Sequence, residues 1–250
     1  MPEWSAYLIL FPAGLLAGAL NVVAGGGSFL TLPLLIFLGL PPTVANGTNR
    51  VAVLLQNAGA SWSFHRYRIL NWRWAMAAAV PATMGAGLGT WAAVTVGDET
   101  FRKTLAFVMV AITLGTLLAP VRPGRAGSSR DFHPASPALV LGFFGVGLYG
   151  GFVQAGVGFL ALAVTTMGGL DLVQGNTIKV FCILLFTTLS LVIFAWQGMV
   201  DWPLGLTLAV GSSLGGLAGA RLTALKGHRW IRVVVTVTVI LFAVRLWITS

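Results

Sequence analysis

Residues 24–28 read Ala24-Gly25-Gly26-Gly27-Ser28, and after a short apolar run residues 46–50 read Asn46-Gly47-Thr48-Asn49-Arg50. The same order returns in the second half, as Gln154-Ala155-Gly156-Val157-Gly158 followed by Gly175-Asn176-Thr177-Ile178-Lys179. One shift along the chain superposes Thr48 on Thr177 and Arg50 on Lys179, which puts one cation in each half among apolar neighbours. Gly39 with Gly168, Trp72 with Trp202, Gly85 with Gly215 and Gly89 with Gly219 agree within one residue of that shift. Their order and constant spacing, more than any single match, make the chain an internal repeat.

Composition fixes the solvent. With 57% hydrophobic and only 8% charged residues, and a mean hydropathy of +0.89, the chain is too apolar for a water-soluble domain of its length. An all-helical polytopic membrane protein follows, because neither the alternation of a β-barrel nor a collagen period is visible. The 32 glycines suit close helix approach in lipid, where small residues let backbones touch. The single cysteine, Cys182, excludes an intrachain disulfide and reads as a small buried side chain. The net charge of +9 sits in short loops between apolar runs, so it reports topology and no nucleic acid partner is expected. The N-terminus lacks the charged region and cleavage site of a signal peptide, so the first apolar run is expected to be retained.

Apolar segments run from Tyr7 to Val23, Phe29 to Leu40, Thr48 to Phe64, Trp74 to Val96 and Phe101 to Ala119. The second set runs from Ala138 to Val153, Phe159 to Leu170, Thr177 to Trp196, Pro203 to Leu225 and Trp230 to Ile248. The second member of each set is only ~18 Å long as a helix, against a hydrocarbon core of ~30 Å. The first two segments of each half are therefore predicted to form a glycine-rich broken hairpin that dips into the membrane, followed by three spanning helices, about eight conventional spans in all. Residues 1–119 form the first repeat, 120–137 a cytoplasmic linker and 138–250 the second repeat.

An odd number of crossings per half inverts the second repeat relative to the first. Arg66, Arg68, Arg73, Arg122, Arg125, Arg130, Lys226, Arg229 and Arg232 then share one side. Glu3, Asp98, Glu99 and Asp201 share the other with Arg102, Lys103 and Arg245. The positive-inside rule makes the first side cytoplasmic and puts both termini outside, in a multi-pass protein of the bacterial cytoplasmic membrane. The rival count of four ordinary crossings per half puts the loop from Lys226 to Arg232 outside and fits the charges less well.

Arg50 and Lys179 are the sharpest site candidates. Each is read as lying just inside a helix that opens with Asn, Gly and Thr, where free amides and a cation converge on an oxyanion. For either residue alone, snorkelling to an interface or bonding to hairpin carbonyls competes equally with substrate contact, and the symmetric placement favours function. Asn46, Thr48, Asn49, Asn176 and Thr177 supply neutral donors or ordinary helix caps. Gly25, Gly26, Gly27, Gly156 and Gly158 form an anion nest or serve helix packing. Gln56, Asn57 and Gln154 read as interhelical hydrogen-bonding groups, Asp171 as a cap, and Arg221 as reaching the interface. Metal-ligand spacings, a phosphate-binding loop and a nucleophile elbow are all missing, so no enzyme, metal or cofactor is expected.

The stretch from Ala24 to Asn57, with Gly25-Gly26-Gly27, Pro33, Gly39 and Ala45-Asn46-Gly47-Thr48-Asn49, resembles the sulfite exporter TauE/SafE family of bacterial membrane proteins. A looser echo runs from Gly147 to Lys179, where Gly175-Asn176-Thr177 replaces the family's more usual polar pattern. The resemblance implies movement, outward above all, of a small sulfur oxyanion or organosulfonate. The sequence thus predicts a secondary transporter working by alternating access, with a small anionic substrate and the lipid bilayer as its partners; a homo-oligomer is compatible with it. An anion channel and a nontransporting membrane scaffold are the alternatives.

Overall fold

A computed structural model describes residues 3–118 and 136–249, and within them the chain is helical between short turns. In chain order the helices are α1 (Glu3–Val23), α2 (Ser28–Phe37), α3 (Pro42–Arg66), α4 (Trp72–Thr95) and α5 (Asp98–Leu118), then α6 (Pro137–Phe152), α7 (Val157–Met167), α8 (Leu172–Trp196) and α9 (Trp202–Thr249). The expected linker lies outside the described residues up to position 135, and its last residue, Pro137, opens α6.

Local chemistry sets these boundaries. Gly25 at φ +92° and Gly156 at φ +70° separate each first helix from its short partner, in a backbone region that side chains with a Cβ avoid. Pro42 at the first turn starts α3, its fixed φ matching the helix and its missing N–H costing nothing there. Asp171 caps α8 as expected, accepting from the N–H groups of Val173 at 2.8 Å and Gln174 at 2.9 Å. Asn71 does the same for α4, accepting from Arg73 N–H at 3.1 Å.

Two readings are corrected. The polar patches at 46–50 and 175–179 do not open their helices: α3 and α8 begin at Pro42 and Leu172, so Thr48 and Thr177 lie in the helix interior. The break expected between Leu225 and Trp230 is also absent, and residues 202–249 form one helix of 48 residues. A single glycine, Gly227, costs a helix only about 1 kcal/mol, whereas the first half breaks where Gly97 precedes the acidic first turn of α5.

Among the described residues, four stretches are long and apolar enough to cross a membrane: Ala6–Val23, Trp72–Thr95, Leu172–Trp196 and Trp202–Leu225. The short helices α2 and α7 have 10 and 11 residues. Large apolar side chains such as Leu8, Leu16, Met84, Trp91, Leu141 and Leu214 point outward, while Asn46, Asn49, Gln56, Arg50 and Lys179 are buried. That inverts the water-soluble arrangement and matches a lipid-facing exterior.

Packing exchanges partners between the halves. α1 lies against α9 and α6 against α4, with α3 and α8 filling the centre. Both pairs approach through glycine: a Cβ at Gly18 would strike the Ser212 backbone, one at Gly215 the Leu15 carbonyl, one at Gly147 the Ala82 backbone and one at Gly89 the Leu148 carbonyl. Gly18→Leu and Gly147→Leu should each lower the melting temperature of the detergent-solubilised protein sharply, because overpacking against backbone costs at least about 1–3 kcal/mol. Gly145→Ala, where an added methyl meets nothing within 4 Å, should melt like the wild type.

Candidate functional site

The two glycine breaks meet at the centre. A Cβ on Gly25 would collide with Gly158 and one on Gly158 with Gly25, and behind them Phe29 and Phe159 stack with ring centroids 6.2 Å apart. Each break leaves the last carbonyls of a helix without an intrahelical donor, far from any water that could serve them.

The buried cations take up those carbonyls, each from the opposite half. Arg50 is fully buried; it donates to Gly150 O at 3.1 Å and Gly151 O at 2.6 Å in the last turn of α6. Its other terminal nitrogen donates to Gln154 Oε1 at 2.8 Å, and its guanidinium carbon lies 4.8 Å from the Phe194 ring centroid. Lys179, also fully buried, donates to Asn21 O at 3.2 Å and Val22 O at 2.8 Å in the last turn of α1. The shift that superposes Arg50 on Lys179 also carries Asn21 and Val22 onto Gly150 and Gly151, so the two cations perform equivalent contacts. Each meets the partially negative end of a helix dipole. Among the described residues the salt bridge found is Lys103 with Glu99, at the surface, and Nε of Arg50 has no partner. Two buried basic side chains therefore stand in the interior opposite carbonyl dipoles, without a carboxylate bonded to either among the described residues.

The helices themselves repeat in a register one position longer, α3 starting at Pro42 and α8 at Leu172. By that register Asn46 matches Asn176, while Lys179 falls on Asn49 and Val180 on Arg50. The one-residue offset between the cations is absorbed by the different reach of the two side chains.

The other expected site residues divide. Asn46 sits with Arg50 on the second break: its Nδ2 donates to Phe152 O at 2.9 Å and its Oδ1 accepts from Gln154 N–H at 3.4 Å. Asn49 turns to the first break, accepting from Thr31 Oγ1 at 2.6 Å and donating to Ser28 Oγ at 3.1 Å. Asn176 donates to Thr223 Oγ1 at 3.5 Å, and its buried Oδ1 has no partner. Thr48 and Thr177 are spent on structure: Thr48 Oγ1 accepts from Asp201 N–H at 2.9 Å, and Thr177 Oγ1 donates to Gln174 O at 2.8 Å within its own helix. Gly26 and Gly27 give their carbonyls to the first turn of α2. Gly25, Gly156 and Gly158 make the turn and the crossing.

Sequence reasoning undervalued Gln154, which bridges Arg50 and Thr187; its place directly after the α6 break is the signal. Tyr149, whose hydroxyl donates to Ala155 O across the same break, carried none. A groove of about 510 Å³ opens at the α3–α4 turn and the start of α8, lined by Arg68, Asn71, Asp171 and Gln174.

Curated relatives match the chain over most of its length. A "Probable membrane transporter protein" of Haemophilus influenzae is 30% identical over 92% of this chain and 89% of its own length. One from Sinorhizobium is 29% identical over 95% of the chain and 90% of its own. The probable membrane transporter YfcA of Escherichia coli is 29% identical over 92% and 85%. No solved structure matches the chain. The profile described as "Sulfite exporter TauE/SafE" matches residues 10–246, a span that takes in both glycine breaks and both buried cations, and the chain belongs to that family of membrane transporters.

Proposed function

We propose that the chain is a secondary carrier that moves a small sulfur oxyanion or organosulfonate outward across the bacterial cytoplasmic membrane by alternating access. The observation that carries this reading is the pair of buried cations, Arg50 and Lys179, bonded to carbonyls and to no carboxylate. Lone cations at that depth are expensive, and a pathway for anions gives them a use. They make the interior attractive to an anion without clamping it, which a carrier that must release its cargo requires.

Two halves of opposite orientation are the frame we infer for it. In support, the N-terminal part of α3 lies by the α8–α9 turn, through Thr48 and Asp201, while the turn after α3 shares a groove with the start of α8. The arginine-rich α3–α4 turn makes the groove side cytoplasmic. The other end is closed by Thr43, whose N–H and Oγ1 both donate to Asp98 Oδ1, at 3.1 and 2.6 Å. Because residues 202–249 form one continuous helix, the outside placement of the C-terminus is not retained in this frame. An outgoing anion gains about 2.3 kcal/mol per charge per 100 mV of a negative-inside potential, so a uniporter already has a driving force.

Proteoliposomes loaded with sulfite, sulfoacetate, taurine or sulfate provide the test. Saturable efflux of a sulfur oxyanion, lost in Lys179→Met protein that still runs as a single peak, is the expected result. Flux that never saturates would replace the carrier with an anion channel, and absence of flux for every anion would leave a nontransporting membrane protein.

A further inference from the structure

Beside the first break lies a cavity of about 10 Å³ whose polar lining is Asn21, Ser28, Thr31, Asn49, Gln56 and Ser212. That is room for one water-sized group. Gln56 is 2% exposed, lines this cavity, and its Nε2 has no hydrogen-bond partner. A buried amide left unsatisfied is costly, so its retention asks for an occupant.

The proton inventory says what kind. Thr31 spends its hydroxyl proton on Asn49 Oδ1, and Asn49 Nδ2 donates to Ser28 Oγ. Ser212 Oγ lies 3.3 Å from the carbonyls of Ala52 and Ala209, to which its proton goes. The Asn49 carbonyl thereby accepts one bond, while the Ser28 hydroxyl proton, the second Asn49 amide proton and both protons of Gln56 Nε2 are uncommitted. The cavity also adjoins the start of α2 at Ser28, the positive end of that helix. No carboxylate lines it, and Lys179 bonds the backbone of Asn21, whose residue forms part of the wall. A space of this size with several uncommitted donors, beside the Lys179 contact, accepts one oxygen of an anion.

The second half has no counterpart. In the register that superposes α3 on α8, Gln56 becomes Phe186, Ser28 becomes Gly158, Thr31 becomes Ala161 and Ser212 answers to Ala82. The Phe186 ring lies against Gly150.

We propose that this cavity is the single anchoring point of the transported oxyanion: one substrate oxygen enters it and is held by Gln56 Nε2, Asn49 Nδ2 and Ser28 Oγ. The anchor belongs to one repeat only, and the buried cations act as its field. This deepens the carrier reading and rests on it.

The test uses purified full-length protein, titrated calorimetrically with sodium sulfite, alongside sulfite flux in proteoliposomes. Gln56→Leu and Gln56→Glu should each weaken sulfite binding and raise KM by about tenfold or more, the scale of one hydrogen bond to a charged group. Gln56→Leu should keep or raise the melting temperature, since it removes an unpartnered donor; a merely structural glutamine would lower the melting temperature and leave KM alone. Should Gln56→Leu fail to fold, Ser28→Ala decides, with about threefold weaker binding expected. Affinity within twofold of wild type in a folded Gln56→Leu or, failing that, Ser28→Ala protein overturns the assignment, as does wild-type protein that binds no sulfite. Sulfite bound through Gln56 by a protein that shows no flux supports the anchor and overturns the carrier reading instead.

Discussion

Arg50→Ala protein should show no anion flux and should melt far below the wild type. The guanidinium serves three acceptors at once, Gln154 Oε1, Gly150 O and Gly151 O, where neither water nor lipid can take its place. Truncation leaves the Gly150 carbonyl and a glutamine oxygen unpaired, at about 1–3 kcal/mol for each group left unsatisfied, while Gly151 O keeps the Thr90 hydroxyl at 3.1 Å. A loss on the order of 3–5 kcal/mol, the scale measured when one partner of a buried charged contact is removed, would unfold most membrane proteins in detergent. Lysine at this position should recover only part of the stability, because an ammonium on a flexible stem lacks the planar fork that reaches a side chain and two carbonyls together. Thermal melting followed by flux in liposomes checks both statements. Wild-type stability and flux in Arg50→Ala would remove the cation from the account entirely.

Gly25→Ala should be the most damaging of three alanine substitutions, at Gly25, Gly39 and Gly158, that together separate why. Gly25 has φ +92°, and a Cβ there would run into the backbone of Gly158. Gly39 has φ +103° with nothing within 4 Å of an added methyl, so Gly39→Ala carries the backbone strain alone, about 1–2 kcal/mol. Gly158 lies inside α7, outside the positive-φ glycines, and its Cβ would strike Gly25, so Gly158→Ala carries the collision alone. Melting temperatures should fall in the order wild type, Gly39→Ala, then Gly158→Ala, with Gly25→Ala lowest. A Gly25→Ala protein as stable as Gly39→Ala would mean that the two breaks do not meet.

Much of the fold was legible because lipid allows few solutions. Composition required helices, and the glycine clusters marked where they break; Gly25 and Gly156 hold the positive-φ turns. The polar patches misled as helix starts because Asn and Thr before an apolar run look like caps. In a membrane protein they can stand in mid-helix, on the face turned from lipid, and Pro42 and Asp171 carry the start signal instead. The cluster Lys226-Gly227-His228-Arg229 looked like a turn because charge in an apolar chain usually marks a membrane surface, yet nothing in it stops a helix. Arg50 and Lys179 stood out as cations, but their acceptors, 100 and 158 residues away, could not be read from one sequence. The cavity wall was hidden for the same reason: Ser28, Asn49, Gln56 and Ser212 come from three helices, and only packing brings them together.

The exchange of partners between halves has a bearing on how the protein is made. α1 is synthesised before α9, the helix that covers its glycine face, and before Lys179, the amine that satisfies its last carbonyls. Until then α1 waits in the bilayer with an uncovered flank and a bare polar tip. Completion of the chain, and no earlier event, closes the molecule, so a nascent polypeptide arrested before α8 should be a substrate for membrane quality control.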